Sequence, residues 1–527
     1  MKADYVIVGA GSAGCVLANR LTEDPNTTVI LVEAGGTDHS LTIRMPAALG
    51  INTARGRYNW CYETVPQPHL NDRSIFTPRG KGLGGSSSIN GLVYVRGHPR
   101  DFDRWEQEGA HGWSYGSVLP YFKKIEHWSG EKSPFRGEGG PVPVTARTPD
   151  NLLDIAFLSA GIQAGFPATT DINGAHQEGV GRFDTNINAG ERARSSQTYL
   201  VPAMSRPNLK VLTQTRVIQV LMDGLTAQGI RCVSKHKAID ISALQEVILC
   251  AGATNTPQLL MLSGIGEVEH LEANGIEVKH DLPGVGQNLQ DHLEIHLHYR
   301  SPARAALNRQ MRPHNLFKNL SQWLLFKTGP ATSNGCTVGA FLKTAPEVTH
   351  PDVQIHFFPV YLEGWLPKPS PHGFRLGIGT LRATSKGSIR LACADPFAAP
   401  LIDPNYLATE EDRKDMLRCV EIARQIVAQP AFDGLRLEEL DPGTSTRTDT
   451  DVAAYIRATA QTAYHLSCTC RMGTDAMAVT DPSTKVRGIE HLRIVDASIM
   501  PSITSGNLNA PVMMMAERAA DLIRQSS

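Results

Sequence analysis

The chain has 527 residues, enough for two or more domains with ample core, and its 51 Lys and Arg against 52 Asp and Glu leave a net charge of −1. That balance gives no sign of a nucleic-acid partner or of an anionic membrane surface. No run of 18 uninterrupted apolar residues marks a membrane span, and the first strand pattern starts too near Met1 to leave room for a signal peptide. The nine cysteines (15, 61, 232, 250, 336, 393, 419, 468 and 470) are scattered and odd in number, as expected of reduced thiols in a cytosolic protein.

The first predicted element is a β-branched run at 5–8, a strand buried on both faces. Gly9, Gly11 and Gly14 follow as G-x-G-x-x-G: the first permits a tight turn, the second lets a pyrophosphate approach, and the third lets helix pack on strand. Ala13, Val16, Leu17 and Leu21 recur at helical spacing, so a phosphate would sit at that helix's N-terminus. A second strand is expected at 28–32. Glu33 ends it, 19 positions after Gly14, where a carboxylate accepts hydrogen bonds from an adenosine ribose. NAD, NADP and FAD all remain open on these residues, although the acid argues against a 2′-phosphate.

A glycine-rich stretch, "GKGLGGSSSINGLVYVRGHPRDFD", occupies 80–103. Further strands are predicted at 208–213, 217–221 and 246–250, the last running into "AGATNTPQLLMLSGIG" at 251–266. There Thr256 is expected to cap a helix with Pro257 at its first position. In "DHLEIHLHY" a strand puts His292, Glu294, His296 and His298 on one face; half-buried strands alternate in the same way, and no metal is expected. "VQIHFFPVYLEGWLP", 353–367, offers Phe357, Phe358, Tyr361 and Trp365 either to an apolar pocket or to sheet core. Strand–turn–helix patterns of the dinucleotide type recur at the start, middle and end, without internal repeats.

Residues 80–103 and 252–266 resemble, position by position, the two signature patterns of the glucose–methanol–choline oxidoreductases. The segment "HLRIVDASIMPSITSGNLNAPVMMMAERAADLI" resembles the closing segment of that family. The resemblance spans essentially the whole chain and is closest to the bacterial choline dehydrogenase and long-chain alcohol dehydrogenase branch. It implies an α/β fold (α+β overall), with a discontinuous Rossmann-like FAD-binding domain and a substrate domain built on an antiparallel sheet flanked by helices. The expected divisions are 1–150, 205–297 and 460–527 for FAD, and 151–204 and 298–459 for substrate. Gly82, Gly84 and Gly85 would let the chain pass close to FAD, with Ser86 and Ser87 bonding its phosphate and ribitol oxygens. Asn90 would meet the isoalloxazine edge. The resemblance also carries cofactor contacts onto Ser12, Ala13, Ala34, Arg79, Gly91 and Val93, and onto Val217, Ala251, Gly252, Asp496 and Ala497. Some relatives bond a histidine just before this asparagine to the flavin; Ile89 stands there, so non-covalent, dissociable FAD is expected.

"AYHLSCTCRMG" resembles the family's H-P-x-G-T-x-x-M-G and places the catalytic histidine on His465. The second active-site residue, about 44 positions on, falls on Asn509, with Pro511 in the first turn of a helix aimed at the flavin pyrimidine. Leu466 and Cys468 depart from the family's Pro and Gly, which puts the shape of this loop in question, and Leu466 is a candidate pocket residue. A metal site on His465, Cys468 and Cys470 lacks a fourth ligand. In "SNGCTVGAF" Thr337 stands where choline-specific relatives carry a glutamate, so choline is expected to be a poor substrate beside neutral alcohols. The implied function is FAD-dependent oxidation of a primary alcohol to an aldehyde, with a quinone or another non-oxygen carrier as acceptor. The rivals are a peroxide-forming oxidase, a lyase with spectator flavin and a non-catalytic flavoprotein. No metal is expected, and the expected location is cytoplasmic, with peripheral contact at the inner membrane face.

Overall fold

A computed structural model describes residues 1–54, 56–364 and 366–526. Its first sheet is parallel at the centre. Strand Lys2–Val8 lies between Val29–Val32 and Lys237–Leu249, with Leu209–Leu212 beyond the former and Leu492–Ile494 beside the latter. Its inner strands are apolar on both faces and lie in the core: Val6, Ile7, Leu31, Val247 and Ile248 are all buried. Two antiparallel strands, Thr226–Ser234 and Thr215–Asp223, extend the edge. The strand expected at 246–250 is therefore only the end of a 13-residue element. Its first half is largely exposed and pairs antiparallel, so it carries no apolar run to reveal it.

The helix after that strand also differs from expectation. It begins at Gly252, with Ala251 as its cap residue, so Thr256 lies inside it and donates its hydroxyl to Asp496 Oδ2 (2.6 Å). Pro257, now in the second turn, cannot donate to the Ala253 carbonyl. The hydroxyl of Thr469 does so instead, at 2.7 Å.

The second sheet runs in the order Glu439–Asp441, Leu293–Arg300, Gly373–Thr380, Val353–Phe358, Val338–Leu342, Gly179–Arg182, Ala168–Thr169. It is antiparallel except for its last pair. Strand Leu293–Arg300 lies wholly in this sheet, across the division expected at 297. One face packs Ile295, Leu297, Ile355, Phe357 and Leu376 against helices Leu152–Gln163 and Glu410–Val427. The period of two sends Glu294, His356 and Phe358 to the other face, which looks back at the first sheet. The space between is the site.

Candidate active site

One continuous cavity follows the carboxyl ends of the parallel strands and ends against the second sheet. Its first part is glycine-made. A Cβ on Gly9 (φ +100°) would meet Cys250 O at 2.5 Å, and one on Gly14 would meet Gly9 O at 1.9 Å. At Gly11 a Cβ would meet nothing within 4 Å, because that position opens onto the cavity at the start of helix Ser12–Leu21. Room for a phosphate at a helix N-terminus is what a dinucleotide requires. A second helix, Asn509–Ser526, starts beside the first, and Ser12 Oγ donates to Asn509 Oδ1 at 2.7 Å. Buried Glu33 accepts from the backbone N–H groups of Ala10 (2.9 Å), Gly35 (2.8 Å) and Gly82 (3.0 Å). Burial pushes its carboxyl up and these three donors hold it down. It thus ties the glycine-rich stretch to the first turn while still lining the cavity.

Of the expected cofactor contacts, Gly9, Gly11, Ser12, Ala13, Glu33, Ala34, Arg79, Gly85, Ser86, Asn90, Gly91, Val93, Val217, Ala251, Gly252, Asp496, Ala497 and Asn509 line the cavity. Gly14, Gly82, Gly84 and Pro511 stand behind it and shape the turns. Ser87 is a correction: its buried hydroxyl donates to Gly84 O (2.6 Å) and faces Ser195 Oγ, not the cavity. Asp496 lines the wall but spends its carboxylate on Gly252 N, Thr256 Oγ1 and Ser498 N, fixing the Gly252 turn. Asn90 is held from behind by Arg192, whose Nη1 donates to Asn90 Oδ1 at 2.8 Å. Leu92 N donates to the same oxygen, which leaves the amide nitrogen for the cavity. Trp60, Arg216 and Pro396 also line the cavity, with the Arg216 guanidinium over the Trp60 ring; nothing in the local pattern marks them.

The histidine at the other end is placed by an elaborate support. His465 N donates to Asp291 Oδ1 (2.7 Å), and the buried Asp291 carboxylate also accepts from Thr462 and Tyr406 (2.5 Å). His465 Nδ1 lies 2.9 Å from His292 Nδ1, and His292 Nε2 lies 3.1 Å from the Leu381 carbonyl. A carbonyl only accepts, so His292 carries its proton on Nε2. Burial pushes that ring down to about 4, so it is neutral and its Nδ1 accepts. His465 must then donate from Nδ1. Burial also drives His465 well below the usual histidine range, leaving Nε2 unprotonated and facing the cavity. Its neighbour there is Asn507 Nδ2, at 3.2 Å. Gln354 Nε2 donates to Asn507 Oδ1 and orients the amide.

The residue that partners His465 is therefore Asn507. Asn509, two positions on, accepts from Ser12 instead, so of the two asparagines of "GNLNA" it is Asn507, not the expected Asn509, that lies beside the histidine. Leu466 lines the cavity as expected. Cys468 takes φ +72°, the left-handed backbone that explains glycine at this place in relatives, and its side chain is buried away from the site. Three pocket candidates fall elsewhere. Thr337 donates its hydroxyl to Asp154 Oδ2 (2.6 Å), outside the cavity wall. Phe357 is sheet core stacked on Phe157, and Tyr361 packs on His298 away from the cavity. Trp365 lies outside the described residues. Phe358, Asn334, Cys336, Tyr464, His356 and Glu294 form the wall instead. Glu294 accepts from His296 Nε2 (3.0 Å) and sits 4.0 Å from His356 Nδ1. Among the described residues no group of His, Cys, Asp and Glu is arranged to hold a metal ion.

The GMC oxidoreductase N-terminal and C-terminal family profiles match residues 3–294 and 383–516. The chain is 47% identical over 531 residues to human mitochondrial choline dehydrogenase, covering 99% of this chain and 89% of that protein. It is 45% identical to the oxygen-dependent choline dehydrogenase of Sinorhizobium fredii, covering 99% and 96%. Among solved structures, pyridoxine 4-oxidase from Mesorbium loti superposes with a TM-score of 0.90 at 32% identity over 99% of both chains. A formate oxidase variant from Aspergillus oryzae gives 0.92 at 27%, covering 100% and 98%. With this cleft, this histidine and these relatives, the chain belongs to the GMC oxidoreductase family and is an FAD-dependent alcohol-oxidising enzyme.

Proposed function

We propose that the protein oxidises a primary alcohol to an aldehyde with His465 as the base and passes the electrons to a quinone-type acceptor. The carrying observation is the unprotonated Nε2 of His465, held toward the cavity beside Asn507 Nδ2. Nε2 accepts the carbinol proton, and Asn507 donates a hydrogen bond to the oxygen as negative charge develops on it. The Nδ1–H bond to His292 keeps the imidazole in the required tautomer before and after that transfer. FAD, when bound, supplies the hydride acceptor. The glycine-lined turns, both helix N-termini and Asn90 would hold it, without covalent attachment because Ile89 offers no nucleophile beside Asn90. The location is read as cytoplasmic.

The cavity wall supports a different substrate preference from the one expected. Thr337 is not part of the cavity lining, and Glu294 is. Burial raises the Glu294 carboxyl, while His356 and Arg375 favour its charged form. A carboxylate there suits an alcohol with a cationic far end, choline being the natural probe since the relatives named above are choline dehydrogenases. The experiment compares kcat/KM for choline, hexanol and benzyl alcohol with one artificial dye, with and without oxygen. Choline should lead, and Glu294→Gln should cost it roughly 30-fold or more while sparing benzyl alcohol, as expected for losing one partner of a desolvated pair. A neutral alcohol in front would restore the Thr337 reading. Peroxide formed at the turnover rate would make the enzyme an oxidase.

A further inference from the structure

Helix Pro313–Phe326 turns an apolar face outward. Its inner side is pinned by Trp323, whose indole donates to Gly190 O (2.8 Å), and by Asn319, whose amide donates to Gln310 (3.1 Å). Leu316, Phe317, Leu320 and Leu324 recur at i, i+1, i+4 and i+8 and form one outer stripe, and Leu325 and Phe326 project from other sides of the last turn. All six are exposed, Phe317 and Leu325 each by 74%. Soluble surfaces scatter such residues singly; six on one helix, four of them in one stripe, call for a partner.

The charge around it identifies the partner. Residues 295–346 contain seven Lys and Arg (Arg300, Arg304, Arg309, Arg312, Lys318, Lys327 and Lys343) and no Asp or Glu. Arg300, Lys327 and Lys343 are spent on Glu438, Glu191 and Glu178. Arg304, Arg309, Arg312 and Lys318 are exposed and make no ion pair among the described residues. The net charge of −1 conceals this local excess. At 14 residues the helix is too short to cross a bilayer, and no helix among the described residues is long and apolar enough to do so. A second copy docking the same face would bring its own four cations against these four.

We propose that helix Pro313–Phe326 is a membrane-docking element that lays its apolar stripe at the headgroup–acyl boundary of an anionic bilayer, with Arg304, Arg309, Arg312 and Lys318 at the level of the lipid phosphates. The chain leaving the helix passes through Pro330–Thr332, which packs on Pro46–Ala48, and reaches Asn334 and Cys336 in the cavity wall. Leu49 and Thr53, just after Pro46–Ala48, line the same cavity. The docking face thus adjoins the active site, as a lipid-dissolved electron acceptor would require. The proposal stands on this surface alone. Its test reads binding, so it fails or holds apart from the substrate and acceptor readings.

The experiment is flotation of the holoenzyme with vesicles of phosphatidylcholine carrying about 30 mol% phosphatidylglycerol, against phosphatidylcholine alone. The enzyme should float with the anionic vesicles and be released by high salt, which shortens the screening length. Phe317→Ser combined with Leu325→Ser should lower binding roughly tenfold or more, with unchanged Tm and dye-linked turnover. Should that pair fail to fold, Arg312→Glu with Lys318→Glu decides the matter, since it should abolish the preference for anionic vesicles. Wild-type enzyme left in the lipid-free fraction, or variants floating as well as wild type, overturns the proposal. So does a salt-resistant dimer that the serine pair disperses, because a second copy would then cover the face.

Discussion

At the scale of residues, the proposed chemistry depends on which nitrogen of His465 holds its proton, and a backbone carbonyl decides that through His292. The Leu381 carbonyl fixes His292, and His292 fixes His465. Replacing His465 by Ala should keep FAD bound but slow alcohol oxidation by roughly 10²–10⁴-fold, the usual span for a removed general base. Asn507→Ala should cost roughly 10–10³-fold as one donor to a developing oxyanion is lost. Asn509→Ala should act on FAD retention rather than on turnover of the loaded enzyme. Rates that single out Asn509 instead would return it to the pair. His292 adds a pH dependence with a definite sign. Burial in the fold holds it down to about 4 instead of 6.5, so the unfolded chain binds the extra proton between those values. Stability is therefore lost as pH falls from 6.5 toward 4, by about 3 kcal/mol from this group at full protonation. Thermal melts should show that loss and His292→Leu should blunt it, while lowering kcat more than it raises KM.

At the scale of elements, a satisfied proline carries the next prediction. Thr469 donates to the Ala253 carbonyl that Pro257 cannot reach, and both groups are buried. Thr469→Val keeps the shape and removes the donor, which should cost about 1–3 kcal/mol in denaturant unfolding. Thr469→Ser should restore most of it. A neutral Thr469→Val would mean another donor serves Ala253. This bond also shows where sequence reading stops. The buried strands and the Gly9–Gly14 turn are legible because each is dictated by its own neighbours. Thr256 followed by Pro257 is locally a helix start, and only Asp496, 240 residues away, makes it a helix interior. The pocket went the same way. "DHLEIHLHY" and "VQIHFF" announce an alternation, but which phase faces substrate depends on where helices Leu152–Gln163 and Glu410–Val427 pack. That phase puts Phe357 in the core and Phe358 and Glu294 on the wall.

At the scale of the whole molecule, the cavity exists only when distant parts of the chain are assembled. Gly9 to Ala13, Gly85 to Val93, Ala251 to Asn255 and Asp496 to Val512 all contribute to its wall, and strand Leu492–Ile494 joins the first sheet beside Lys237–Leu249. An unfolded chain offers FAD none of this, so binding and folding are linked. Free FAD at 100 times its Kd should stabilise the native state by about 2.7 kcal/mol, rising by about 1.4 kcal/mol for each further tenfold. The linkage is reversible only if the flavin is not bonded to the chain, and Ile89 beside Asn90 supplies no nucleophile. Acid precipitation should therefore leave the yellow colour in the supernatant. Protein stripped of FAD under milder conditions should melt lower and regain its Tm with added FAD, in proportion to the logarithm of concentration. Flavin retained in the pellet would point to another side chain as the attachment site. A Tm indifferent to added FAD would show that the assembled cleft is stable without its cofactor, and that the glycine turns and paired helix N-termini fold before anything binds them.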